Sequence, residues 1–155
     1  MSPVVRRLGE RDVTLMRGVL GVFAAAFEEP ETYLEAQPDD EYLRDLLASP
    51  TFVALAAVAE AEVVGGLAGY LLPKFERRRT ELYIYDLAVL DGYRRQGIAT
   101  ALIEELRRLA AEVGAYLIFV QADLIDEPAV ALYSKLGTRE EVLHFDIAPA
   151  GGGAA

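Results

Sequence analysis

Apolar residues recur along the chain with two periods, and the switches between them lay out the elements. Residues 4–8 read as a short strand. Behind Asp12, a residue type that caps helices, Leu15, Met16, Val19, Leu20, Phe23 and Phe27 keep the helical period. EEPETYLEAQPDDEY then breaks it with two prolines and seven acids. Asp39 or Asp40 can cap a second helix carrying Tyr42, Leu43, Leu46 and Leu47. TFVALAAVAEAEVVGGLAGYLLP reads as two strands around a tight turn near Glu60 to Glu62. Its alanines would suit a helix, but Gly65, Gly66, Gly69 and the β-branched residues speak against one. After the polar connection KFERRR, TELYIYDLAVL is nearly continuously apolar, as a central strand would be. Gly92 marks a turn. Ile98, Ala99, Leu102, Ile103, Leu106, Leu109, Ala110 and Val113 then form one helical stripe, with Glu104, Glu105, Arg107, Arg108 and Glu112 facing away and Gly114 as the stop. AYLIFVQA reads as a buried strand. Pro128 can open a helix that runs through Ala131, Leu132 and Leu136 to Gly137. REEVLHFDI reads as a last strand. The order predicts an α/β fold, a mixed sheet with helices on its faces.

Composition narrows what such a sheet can serve. The 155 residues, 53% of them hydrophobic, suit one domain over 1–148, with APAGGGAA as a disordered tail over 149–155. A net charge of −10 argues against nucleic acid, which needs a basic surface, and favours a cationic ligand. The chain has no cysteine, so a disulfide framework, a thiolate metal site and a cysteine nucleophile are excluded. With His144 as the one histidine, a multi-histidine metal site is excluded too, and no metal is expected. The N-terminus lacks a signal-peptide core, and no apolar run reaches membrane-spanning length. The expectation is a cytoplasmic protein without a membrane partner.

YRRQGIATALI stands out against that acidity. A strand runs into a turn, and the turn opens the clearest helix. Helix N-termini carry unpaired N–H groups and partial positive charge, so they hold phosphates. Gly97 allows close backbone approach, and Arg94 and Arg95 add charge. A solvated basic turn is the alternative. There is no GxxxxGK[ST] and no GxGxxG after the first strand.

Arg94-Arg95-Gln96-Gly97-Ile98-Ala99, with LAV before it, a helix after it and AVALYSKLG further on, resembles the pyrophosphate loop and second cofactor segment of the GNAT superfamily of N-acetyltransferases. LPKFE, YIYDLAV, RRQGIATALI, VQAD, DEPAVALY and REEVLHFDI are similar to the class I aminoglycoside 3-N-acetyltransferases, over about residues 5 to 148. The resemblance implies a GNAT fold, a mixed central sheet of about six strands flanked by about four helices. It implies acetyl-CoA as co-substrate and direct attack by an amine, which agrees with the missing cysteine. Leu87, Ala88 and Val89 would pair with the pantetheine arm, and Arg94, Arg95, Gln96, Gly97, Ile98 and Ala99 would hold the pyrophosphate.

Two residues stand out for proton transfer. Asp86 interrupts the apolar run of the central strand, where partial desolvation raises a carboxylate's basicity. It suits a general base; a structural aspartate held by backbone donors is the alternative. Glu81 and Tyr83 are weaker base candidates on the same strand. Alternation puts Asp86 on the opposite face from both, unless a bulge intervenes. Tyr133 occupies the family position whose phenol protonates the leaving thiolate; a packed ring is the alternative.

Each acid alone reads as a solvated residue, but as a set the acids suit a compact polycation. Glu28, Glu29, Glu31, Glu35, Asp39, Asp40 and Glu41 surround the first two helices, while Asp123, Asp126, Glu127 and Asp146 lie beyond them. Asp86, Asp123, Asp126, Glu127 and Asp146 are the candidate acceptor contacts. The family's usual Asn and Gly-Phe are replaced by Asp126 and Gly137-Thr138. Only 18 residues follow Gly137, which is short for two closing strands. One long strand and an open sheet end would result, predicting a homodimer. The expected reaction is acetyl transfer to an aminoglycoside amine at N3 of 2-deoxystreptamine. Another polyamine, a protein amine, or acetyl-CoA binding without catalysis are the alternatives.

Overall fold

The computed structural model describes residues 2–152, which divide into two compact units, the first ending at Gln121 and the second starting at Ala122. The first holds β1 (Val4–Arg7), α1 (Val13–Phe27), α2 (Pro30–Tyr33), α3 (Asp40–Ala48), β2 (Phe52–Ala59), β3 (Glu62–Pro73), β4 (Thr80–Val89), α4 (Ile98–Val113) and β5 (Ala115–Val120). The second holds α5 (Glu127–Leu136).

The five strands form one sheet in chain order, antiparallel from β1 to β4 and parallel between β4 and β5. Alternation splits its side chains between two cores. One gathers Leu55, Leu67, Leu82 and Ile84 beneath the α4 stripe, where Leu102 and Leu106 are fully buried. Truncating either leucine to alanine costs about 2–5 kcal/mol. The other places Met16, Val19 and Phe23 of α1 and Leu43 and Leu47 of α3 against Phe52, Ala54, Ala56, Ala68 and Ala88. The small strand residues bring α1 close to the sheet. A Cβ on Gly66 would lie 2.6 Å from Val19 Cγ1, and one on Gly18 would lie 2.7 Å from Val63 Cγ2.

Most predicted elements are present, including the hairpin turn, where Glu60 and Ala61 take positive φ. Asp39 caps α3 by accepting from the Tyr42 N–H at 2.9 Å. Asp12 precedes α1, but its carboxylate accepts from Gly9 N and Arg6 instead of from the helix. Inside the acidic break, Pro30 starts the one-turn helix α2. The strand expected to be buried, β5, lies at the end of the sheet, with Tyr116 and Leu117 nearly half exposed.

The strand expected over REEVLHFDI does not form: residues 139–147 carry neither helix nor strand. Val142, Leu143, Phe145 and Ile147 are exposed, and the ion pairs Arg139–Glu141 and His144–Asp146 run between residues two apart. Such pairs stay within one stretch of chain and supply no second strand, and an extended segment without a ladder has little to hold it. His144 thus has an ordinary partner but no strand. Residues 149–152 form a turn, with the Gly152 N–H donating to Pro149 O. The rest of the tail expected to be disordered, 153–155, lies outside the described residues. The mixed α/β sheet has five strands and five α-helices among the described residues, where about six and four were expected.

Candidate active site

Strand β4 organises the site through one irregularity. Ala68 pairs with Asp86 and Gly69 with Ile84, so Tyr85 is the extra residue of a β-bulge. Before the bulge, Leu82 and Ile84 point to the α4 core; after it, Leu87 and Val89 do. Asp86 and Ala88 therefore share the opposite face with Glu81 and Tyr83. Strict alternation predicted otherwise for Asp86, and the bulge is the reason.

On that face Asp86 is half-buried beneath α2. The Tyr33 hydroxyl donates to its Oδ2 at 2.9 Å. Burial pushes the Asp86 carboxyl above the ordinary range, and the nearby Glu29 charge adds to this; the Tyr33 hydrogen bond opposes it by favouring the ionised form. Burial, then the Asp86 charge, keeps the Tyr33 phenol protonated, so it serves as a donor. Tyr33 is held against Phe23 and Phe27 at ring distances of 5.7 and 5.9 Å. Sequence reasoning missed Tyr33. The available signal was an aromatic in a Pro-initiated turn shortly after the aromatic pair Phe23 and Phe27.

Glu81 has a different environment. It is largely covered and forms an ion pair with Lys74 at 2.8 Å. Its carboxylate is occupied by a cation, whereas that of Asp86 is held by a phenol. Of the two, Asp86 has the setting of a base.

Past the bulge, β4 is unpaired on one side. Its ladder with β5 ends at Ile84 and Val120, although the strand continues to Val89. The stretch containing Leu87, Ala88 and Val89 therefore has no strand partner on its β5 side among the described residues, which leaves backbone groups for an extended ligand. A single 3-10 turn, Asp91–Tyr93, leads to the loop. Arg95 and Gly97 take left-handed φ of 63° and 78°. Gly97 precedes α4, and no side chain caps the helix. Only with the Ala101 N–H, donating to Gly97 O, does the helical ladder begin. The N–H groups of Ile98 and Ala99 come earlier, at the positive end of the helix. Arg94 bonds Val89 O through Nε and pairs with Asp91 at 3.1 Å, and Gln96 donates to Gly92 O at 3.4 Å. Beside this loop lies a depression of about 430 Å³ lined by Ser2, Pro3, Gln96, Gly97, Ile98 and Ala101. A larger one, about 670 Å³, lies along α1 and α3 and contains the Arg17–Asp40 pair but none of the expected catalytic residues.

The remaining candidates belong to the second unit. Asp126 caps α5, accepting from the Ala129 N–H at 3.3 Å, and Glu127 lies in the first turn. Asp123 is exposed. Asp146 pairs with His144 at 2.9 Å. Tyr133 lies half-buried on α5. In the first unit the structure thus brings together Asp86, the open strand end and the loop, and separates Glu81 by its lysine. Of the acids near the first helices, Asp39 and Asp40 have structural partners, whereas Glu29 acts electrostatically on Asp86.

A profile of the acetyltransferase (GNAT) family matches residues 21–138. A crystal structure of an aminoglycoside acetyltransferase from an uncultured soil metagenomic sample is 56% identical, with a TM-score of 0.94, over 97% of this chain and 100% of that one. A second, also from uncultured soil and in complex with sisomicin, is 33% identical, with a TM-score of 0.87, over 95% and 96%. An N-alpha-acetyltransferase of Sulfurisphaera tokodaii is 34% identical over 55% of this chain, and the match spans only 58% of that relative's length.

Proposed function

The chain belongs to the GNAT acetyltransferase family, and from that premise we propose that it transfers the acetyl group of acetyl-CoA to an amine of an aminoglycoside. The carrying observation is the likeness to an aminoglycoside acetyltransferase at 56% identity over nearly the whole of both chains. The sisomicin complex of a second relative agrees with it, as does the acidic balance of this chain.

The residues present fit a coenzyme A thioester. The uncapped N-terminus of α4, with Gly97 in left-handed conformation, suits a pyrophosphate. Arg95 and Gln96 flank it, and Arg94 can reach it by exchanging Asp91 for the ligand. The open edge at Leu87 to Val89 suits an amide-bearing arm, which would extend the sheet by one strand. Bound there, the co-substrate supplies the activated acetyl group.

Asp86 then takes a proton from the acceptor ammonium, directly or through a water, leaving the amine lone pair free to attack. Its raised pKa brings it closer to that of an amine, and Tyr33 fixes its second oxygen. A backbone N–H near Val89 polarises the acetyl carbonyl. The family resemblance gives the Tyr133 phenol the role of delivering a proton to the departing thiolate. Asp123, Asp126, Glu127 and Asp146 supply negative charge to the acceptor, and Glu81, paired with Lys74, is the weaker base candidate. The amine acetylated is N3 of 2-deoxystreptamine, with gentamicin as the substrate type and the cytoplasm as the place. Exposed Val142, Leu143, Phe145 and Ile147 support a homodimer; a monomer by light scattering at micromolar concentration overturns that part.

Acetyl-CoA mixed with the protein and gentamicin should release free thiol, and product NMR should locate the acetyl group at N3. Likeness to the N-alpha-acetyltransferase favours a second reading, a peptide N-terminal amine as acceptor. Thiol release with peptides alone supports that one and overturns the first.

A further inference from the structure

The Asp86 face of the sheet carries a row of aromatic rings that neither proton transfer nor thioester binding uses. Strand register creates it. Phe52 pairs with Tyr70, Tyr70 with Tyr83, and Tyr83 with Phe119, across β2, β3, β4 and β5. Residues directly opposite one another share a face, so four rings line up across four strands. Phe52 and Tyr70 are 5.3 Å apart, and Tyr83 and Phe119 stack at 4.6 Å with 7° between planes. The bulge adds a fifth ring. Tyr85 stands edge-on to Tyr70 at 5.9 Å and to Tyr83 at 5.8 Å.

This row is not simply core. Phe52 is buried, but Tyr85 is 62% exposed and Tyr70 37%. The open part, from Tyr70 to Phe119, spans two inter-strand spacings, roughly 10 Å, which is wider than one six-membered ring. It also adjoins the carboxylate assigned as base. Burial raises the pKa of both Tyr70 and Tyr83, the neighbouring phenols add to it, and the Asp86 charge makes the smallest contribution; Glu29 acts on Asp86 in turn.

Partly exposed aromatic rings beside two carboxylates match one ligand chemistry: saturated rings whose C–H groups pack on the rings and whose ammonium groups meet the rings and the carboxylates. A hydrophobic protein partner would meet uncompensated charge at Asp86 and Glu29. We propose that Tyr70, Tyr83 and Tyr85 form the platform for the amino-sugar rings flanking the ring that bears the reacting amine, with Tyr85 as its central contact. This rests on the aminoglycoside reading and names the residues that would select for acceptor size.

Two probes present the same amine with and without flanking rings: gentamicin and free 2-deoxystreptamine. Tyr85→Ala and Tyr85→Leu should raise KM for gentamicin about tenfold. The rise for 2-deoxystreptamine should be much smaller, and kcat and the KM for acetyl-CoA should change less than about twofold. Tyr85→Phe, which keeps the ring, should behave as wild type. Calorimetric binding of gentamicin should follow the same order. Unchanged gentamicin affinity in Tyr85→Ala overturns the platform and leaves the acceptor reading standing. Equal losses for both acceptors and acetyl-CoA, with a lowered Tm, show a merely structural ladder and also overturn it. A wild-type protein that acetylates and binds neither probe overturns the acceptor reading, and the platform with it.

Discussion

Two carboxylates on one face of β4 have opposite surroundings. Glu81 lies where the strand is paired on both sides, and it touches Lys74. Asp86 lies just past the bulge, where β5 no longer pairs, and it meets a phenol and the field of a second acid. The lesson is that residue type and strand position do not make a base. A cation in contact occupies the carboxylate; burial without one raises the Asp86 pKa and makes that group useful for proton transfer.

The hardest test of that contrast is to neutralise each acid in turn. Asp86→Asn should lower kcat roughly 10²–10⁴-fold, the range for losing a general base, with little change in acetyl-CoA affinity by calorimetry. Turnover at the wild-type rate across the pH range would end its assignment as base.

The next test moves the proton affinity of Asp86 instead of removing it. Tyr33→Phe deletes the hydrogen bond that favours the ionised form. The Asp86 pKa should then rise further, and the acidic limb of kcat/KM should move to higher pH. At the acidic end turnover should fall about tenfold, the size of a hydrogen bond to a charged group, while the alkaline plateau is retained. Glu29→Gln should act in the opposite sense. Loss of a neighbouring negative charge lowers the Asp86 pKa, so the acidic limb should move to lower pH, with about a twofold gain at its foot. Limbs that move together, or not at all, would break the electrostatic account.

The smallest effects belong to the other acid. Glu81→Gln and Lys74→Met should leave kcat within about twofold and barely move the urea unfolding midpoint, as expected of a partly exposed ion pair. A large catalytic loss in Glu81→Gln would move the base along the strand.

What was legible in the sequence follows from where periodicity is strong. The α4 stripe, the β2–β3 hairpin and the turn at Gly97 announce themselves through spacing and glycine. Asp86 stood out because it interrupts an apolar strand. Tyr33 did not, because a one-turn helix is too short to have a period. Nor did the ring row, since register between strands and the bulge at Tyr85 are set by pairing that no single segment encodes. REEVLHFDI shows the converse: strand-like residues do not make a strand where no neighbouring ladder receives them.

The interlock of α1 with β3 has a consequence for how this protein can diversify. Gly18 leaves room for Val63, and Gly66 for Val19, at distances that admit no further carbon without displacement. The helix is thereby indexed to the sheet, and Phe23 and Phe27 carry that index to Tyr33. Acceptor range is therefore free to drift mainly in the connection between α1 and α3, residues 28–39 other than Tyr33, and on the open rings. A mutational library should recover altered acceptor preference from those positions, whereas substitutions at Gly18 and Gly66 should appear among the poorly expressed clones.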